Sequence, residues 1–390
     1  MLLIVTPQTN NIFDCIVLSG GGAKGSYGAG VASALFAFYD LKRIKKGICY
    51  LGTSAGALNA GVLASYGPEK LKELWLSSAN NRTVLGVRRL RLKARFFRRL
   101  LKWVSPYSIF DNDKLRQLIE ANVDFNRLDG KHLIVLTTNY NTGTLKAFYS
   151  SYLIDDFVNY DRGLKHIKQR LSHFERINNQ EELVLALLAS SSIPVFFPPV
   201  RIKNDWYVDG GVGNNTPTRE AAYFLRFLNT LGKGDIGEVF CIKQDPPEII
   251  ESQPSFGLLD IVKRTTEISQ YIHIQPIIEG FSRINYETQQ YKARLDGLIE
   301  WINSKSYDAI VADEITKEVK DRMGTLGGAT ARINVPFTII DPSTFLGDTL
   351  DFSPTSMREN IKHGFHDMLK ALGNRIDDAE HKILLSRLKM

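Results

Sequence analysis

Two short apolar runs near the start of the chain each end in a glycine-rich turn that opens into a helix-like stretch, and this repeated pattern constrains the fold most. The first run, 14–19, ends in Gly20-Gly21-Gly22-Ala23-Lys24-Gly25 and leads to helical composition over 29–39. The second, 47–51, ends in Gly52-Thr53-Ser54-Ala55-Gly56 and passes at once into a small-residue helix over 55–65. Strands that turn directly into helices build parallel sheets, because parallel neighbours need a crossover between them.

The alternation continues. Residues 133–139 and 145–149 read as strands joined by an Asn141-Thr142-Gly143 turn, and 181–190 as a helix closed by the proline-rich stretch 193–199. Further strands are expected at 206–208, 238–243 and 335–340. Residues 256–304 turn mainly helical, and 355–372 and 377–388 read as C-terminal helices. The expected class is α/β with a mainly parallel central sheet. Residues 246–254 are the best candidate boundary, but a strand follows them, so the later helices are expected on the same sheet. The expectation is one domain over 12–375 and a C-terminal helix over 376–390.

Composition narrows the function classes. With 44% apolar and 23% charged residues the chain has the balance of a soluble globular protein. No run of about 18 apolar residues suggests a membrane span. Residues 1–13 lack the basic start and apolar stretch of a secretory signal, which points to a cytoplasmic protein. Cys15, Cys49 and Cys241 are too few and too scattered for a disulfide framework or zinc site, so buried reduced thiols are expected.

The first glycine cluster formally matches G-x-G-x-x-G, but a dinucleotide site also needs an acidic residue closing the second strand. Asp40 has about the right offset and precedes that strand, which ends instead in Gly52-Thr53-Ser54. A phosphate loop fails too, because Ser26 follows Gly25 where a lysine is required. What remains is a loop whose backbone N–H groups can approach an anion, as an oxyanion requires.

The second cluster, Gly52-Thr53-Ser54-Ala55-Gly56, is a G-x-S-x-G nucleophile elbow between strand and helix. The alternative is a small-residue turn in which Ser54 merely caps a helix. A nucleophilic serine needs a base. None of the seven histidines (His132, His166, His173, His273, His363, His366, His381) follows a strand in a glycine-rich loop. Asp209, presented by Asp209-Gly210-Gly211 after an apolar run, is the better candidate.

At this point four blocks, in order, resemble the patatin-like phospholipases. They are Gly20–Gly25; Gly52–Gly56; Ser191-Ser192-Ile193-Pro194 with Phe197-Pro198-Pro199; and Asp209-Gly210-Gly211 with Asn215 and Pro217. The resemblance runs from about Cys15 to Pro217. It implies a three-layer α/β/α fold and a Ser–Asp dyad. Ser54 would attack the acyl carbonyl, Asp209 would act as base, and the N–H groups of Gly21, Gly22 and Ala23 would form the oxyanion hole. Lys24 stands where the family carries a basic residue and is expected to steady the loop. The dyad calls for no metal or other cofactor. The implied substrates are phospholipids or related lipid esters, cleaved by hydrolysis; an acyltransferase or thioesterase could use the same elbow. A catalytically dead scaffold is the rival of another class, and the intact Ser54 and Asp209 motifs argue against it.

The net charge of +7 is local. Between Leu74 and Phe110 there are nine basic residues and no acidic one, and without them the chain would be slightly acidic. Over 88–104, Leu92, Phe96, Phe97, Leu100, Leu101, Trp103 and Val104 fall on one half of a helical wheel. Arg91, Arg95, Arg98, Arg99 and Lys102 fall on the other, while Arg89 and Lys93 break the pattern. A basic amphipathic segment near 82–104 fits peripheral contact with an anionic membrane through Arg95, Arg98 and Arg99. It fits equally an ordinary surface helix with a solvated charged face. Nothing else in the chain supports nucleic-acid binding.

Overall fold

Strand β1 (Ile12–Leu18) is buried from its second residue onward, Asp14 included, as a strand is when both faces of a sheet are covered. The computed structural model describes residues 12–85, 108–163, 173–230, 232–245 and 335–388, with scattered residues between 264 and 318. Among these, nine strands form one sheet. They are β1, β2 (Gly47–Thr53), β3 (His132–Asn139), β4 (Leu145–Tyr149), β5 (Phe174–Arg176), β6 (Val200–Ile202), β7 (Asp205–Asp209), β8 (Asp235–Ile242) and β9 (Phe337–Ile340). The order is β5-β4-β3-β2-β1-β8-β9, with β7 pairing β3 and β6 off that path. The run from β3 through β9 is parallel. Strand β4 returns antiparallel through the expected turn, where Gly143 adopts φ 70° and Asn139 Oδ1 accepts the N–H groups of Asn141 and Thr142.

Alternate β1 residues feed two cores: Ile16 and Leu18 face one, Cys15 and Val17 the other. On the first face lie α1 (Gly25–Leu41), α2 (Ala55–Tyr66) and α3 (Asp113–Glu120). On the opposite face lies α4 (Tyr152–Gly163), while α5 (Gln180–Ser190) returns to the first. Helix α6 (Thr218–Thr230) joins α4, and α7 (Pro354–Leu372) packs Met357, Ile361 and Phe365 into the first core. The result is three layers with a mainly parallel sheet in the middle. A last helix, α8 (Asp378–Ser386), opens with a capping box between Asp377 and Glu380.

Several details differ from the sequence-based expectation. Helix α1 starts at Gly25 rather than 29, because Gly22–Lys24 forms a tight 3-10 turn that feeds it directly. Strands β5 and β6 were not expected; at three residues each they show no periodicity to read. From residue 86 the basic segment lies outside the described residues, and so do residues 246–254 and much of 256–304. All three cysteines are buried and free. No described helix is long and apolar enough to cross a membrane.

Candidate active site

The edge of β3 brings Ser54 and Asp209 together. Strand β2 pairs with its first part, ending at Thr53↔Leu136. Strand β7 takes up the same edge at the next residue, Thr137↔Asp209, running antiparallel. Strand β4 fills the other edge over Ile134–Thr138. Strands β2 and β7 therefore meet end to end, and the residue after Thr53 faces Asp209.

Ser54 holds φ 56° and ψ −131°, a left-handed conformation that costs about 1–3 kcal/mol and persists only where the surroundings enforce it. The enforcement comes from the end of α5. Ser54 N–H donates to Ser190 Oγ at 2.9 Å, Ser190 Oγ donates to the Leu136 carbonyl at 2.6 Å, and Ser191 Oγ donates to the Ser54 carbonyl at 3.3 Å. The elbow leaves no room for side chains beside it: a Cβ on Gly52 would lie 2.3 Å from the Gly56 carbonyl. The Ser54 side chain makes no capping hydrogen bond to α2, so it is not serving as a helix cap.

Asp209 is buried, at 4% exposure. Its N–H donates to the Ser192 carbonyl at 3.0 Å, and its Oδ1 accepts the Gly211 N–H at 2.7 Å. Oδ2 has no regular hydrogen-bond partner among the described residues, yet the Ser54 hydroxyl lies close enough to act on the carboxyl. Burial dominates and pushes the pKa up to about 7, against a downward pull from Ser54 and the Gly211 N–H. Gly210 must be glycine, since a Cβ there would sit 2.3 Å from the Leu136 carbonyl.

The glycine loop is held at several points. Gln244 Nε2 donates to the Ser19 carbonyl at 2.7 Å, and Gly20 exchanges hydrogen bonds with Asn215 through N–H to carbonyl and Nδ2 to carbonyl. Lys24 is buried and ion-pairs with Asp245 at 2.8 Å, which steadies the loop's far end. The N–H groups of Gly21 and Gly22 make no hydrogen bond among the described residues. The Ala23 N–H differs from the expectation for an oxyanion donor: it is committed to the Thr349 carbonyl at 2.7 Å. Thr349 belongs to a distant loop that no local pattern tied to this turn. The N–H groups of Gly21 and Gly22 carry no such commitment among the described residues.

A cavity opens beside Ser54, bounded by Ser54 and Gly22 and walled by apolar side chains that include Leu58, Trp75, Leu115 and Phe352. Its lining offers almost nothing polar, which suits a hydrocarbon chain. His132 is at the far end of the sheet, at the start of β3, with Nδ1 against Ser151 Oγ at 2.7 Å. Burial and Lys131 lower its pKa to about 4. His166 and His273 lie outside the described residues. Sequence reasoning missed Ser190, Gln244 and Thr349. Only Ser190 left a local sign, as the first of three serines closing a helix.

A family model for patatin-like phospholipase matches residues 16–222. Among solved structures, VipD from Legionella pneumophila resembles the chain with a TM-score of 0.36 at 15% identity, over 94% of this chain and 67% of that one. A likeness of that size carries no argument about activity. No curated protein sequence matches.

Proposed function

Because the chain belongs to the patatin-like phospholipase family, which supports lipid acyl hydrolysis in general terms, we propose that it is a serine acyl hydrolase with Ser54 as nucleophile and Asp209 as base. The observation that carries this reading is the meeting of β2 and β7 on one edge of β3. It sets a strained serine against a buried carboxyl whose pKa lies near neutrality.

In the proposed reaction Ser54 Oγ attacks the ester carbonyl as its proton passes to Asp209. The N–H groups of Gly21 and Gly22 receive the oxyanion. Asp209 then protonates the departing alcohol, leaving an acyl-enzyme. Water gives a proton to Asp209 and attacks the acyl carbon, and the proton returns to Ser54 as the acid leaves. A base with a pKa near 7 is well matched to this work at neutral pH. The substrates proposed are phospholipids or related lipid esters, met at a membrane surface through Arg95, Arg98 and Arg99. Transfer of the acyl group to an acceptor other than water, or cleavage of a thioester, uses the same elbow, and product analysis separates them.

Labelling with a fluorophosphonate tests the assignment. Wild type should label, Ser54→Ala should not, and Asp209→Ala should label far more slowly. Labelling that survives Ser54→Ala refutes the nucleophile. For the membrane contact, reversing charge at Arg95, Arg98 and Arg99 should weaken binding to anionic vesicles, and unchanged binding would remove that part of the proposal.

A further inference from the structure

The cavity beside Ser54 has one wall built unlike the rest. Trp75 lies in a π-helical turn, Leu74–Ser78, a rare geometry frequent at functional sites. Its indole is pinned, with Nε1 donating to Asn59 Oδ1 at 2.8 Å and Asn59 Nδ2 donating to the Gly25 carbonyl at 2.7 Å. The ring edge lies against Gly25, where a Cβ would meet Trp75 Cζ2 at 2.8 Å and the Ala55 Cβ at 3.0 Å. Trp75 is thus locked to the residues that follow the glycine loop and the nucleophile.

Phe352 stacks on this indole, with ring centroids 6.3 Å apart and planes within 1° of parallel. Both rings line the cavity together with Ser54, and both are almost wholly buried. Phe352 arrives from beyond residues 16–222, on the segment that also supplies the Thr349 carbonyl to Ala23 and Leu350 to the cavity. Its N–H donates to Asn81 Oδ1 at 3.2 Å, which anchors the backbone and leaves the ring held by packing alone.

Resting on the acyl-hydrolase reading, we propose that the Trp75–Phe352 stack sets the length of acyl chain the enzyme accepts, Trp75 as the fixed wall and Phe352 as the residue that tunes it. An acyl group on Ser54 must place its chain in this apolar cavity, because the walls present no partner for a polar headgroup. On this proposal, hydrocarbon reaching the stack meets two parallel, buried rings and extends further only by displacing one. A methylene that a pocket cannot accommodate is discriminated against by roughly 10-fold or more.

The experiment is a chain-length profile of kcat/KM on p-nitrophenyl esters from butyrate to palmitate, for wild type, Phe352→Ala, Phe352→Leu and Phe352→Trp. The Ala and Leu variants should raise the long-to-short ratio of kcat/KM by at least ~10-fold, and Phe352→Trp should lower it. If Phe352→Ala does not fold, the opposite shifts of the Leu and Trp variants carry the test. Leu225→Ala, buried on the other face of the sheet, controls for lost stability and should keep the wild-type profile. An unchanged profile in folded Phe352 variants overturns the inference and leaves the hydrolase reading intact. Wild-type turnover that Ser54→Ala does not abolish overturns the hydrolase reading, and this inference with it.

Discussion

Replacing Asp209 by asparagine keeps the side chain's shape and the oxygen that accepts the Gly211 N–H, while removing its charge. The ordinary carboxyl pKa of 3.8 applies to the unfolded chain, and burial raises the folded value to about 7. Between those values the folded protein keeps a proton that the unfolded chain has released. Stability from this group is therefore fully present below pH 3.8 and declines as pH rises toward 7. Once both states are ionised, the loss amounts to about 4 kcal/mol. Asparagine carries no such loss. At pH 8.5 the variant should be the more stable by about 4 kcal/mol, and at pH 4.5 the gap should shrink to about 1 kcal/mol. Urea unfolding at the two pH values measures this, and hydrolysis should fall by ~10³–10⁴-fold. In wild type, kcat/KM should drop as pH falls below about 7, where Asp209 takes up a proton. A stability gap that is the same at both pH values, or a variant less stable at pH 8.5, would refute the claim that a buried charge is held there at the fold's expense.

Two further outcomes follow from the elbow's supports. Ser190→Ala strips the acceptor from the Ser54 N–H and the donor from the Leu136 carbonyl, both buried. It should destabilise by about 1–3 kcal/mol and lower kcat more than it raises KM, as denaturation and steady-state kinetics would report. Gly210→Ala drives a Cβ to 2.3 Å from the Leu136 carbonyl, which belongs to backbone and cannot swing aside. It should cost ~3 kcal/mol or more and break the Thr137↔Asp209 pairing, visible as a lower melting temperature with loss of fluorophosphonate labelling.

The parts of the fold that were legible in the sequence are those whose information is local. Apolar runs that end in glycine turns marked β1 and β2, and the same turns marked Ser54 and the loop before it. Asp209 was reached by asking what could serve the serine as a base. The register that unites them was not readable, because β2 and β7 are about 150 residues apart and meet only through β3. The fate of the Ala23 N–H was hidden for the same reason, its acceptor lying at Thr349. Trp75 and Phe352 each look like ordinary core aromatics in sequence, and only their stacking beside Ser54 distinguishes them.

The single edge of β3 that receives both β2 and β7 also governs how this architecture can diversify. The spacing between Ser54 and Asp209 is measured in main-chain hydrogen bonds along one strand, and of the residues between β3 and β7 those at the end of α5, Ser190, Ser191 and Ser192, add their own hydrogen bonds to it. The loops that join β4, α5 and β6 in that interval can lengthen, shorten or acquire new surfaces without disturbing the pair. A one-residue slip of β7 against β3 would instead turn Asp209 to the opposite face of the sheet, separating it from Ser54. Such a scaffold is tolerant of insertion and intolerant of slippage, so variation in what it acts on can accumulate in its loops while β3 keeps its alignment.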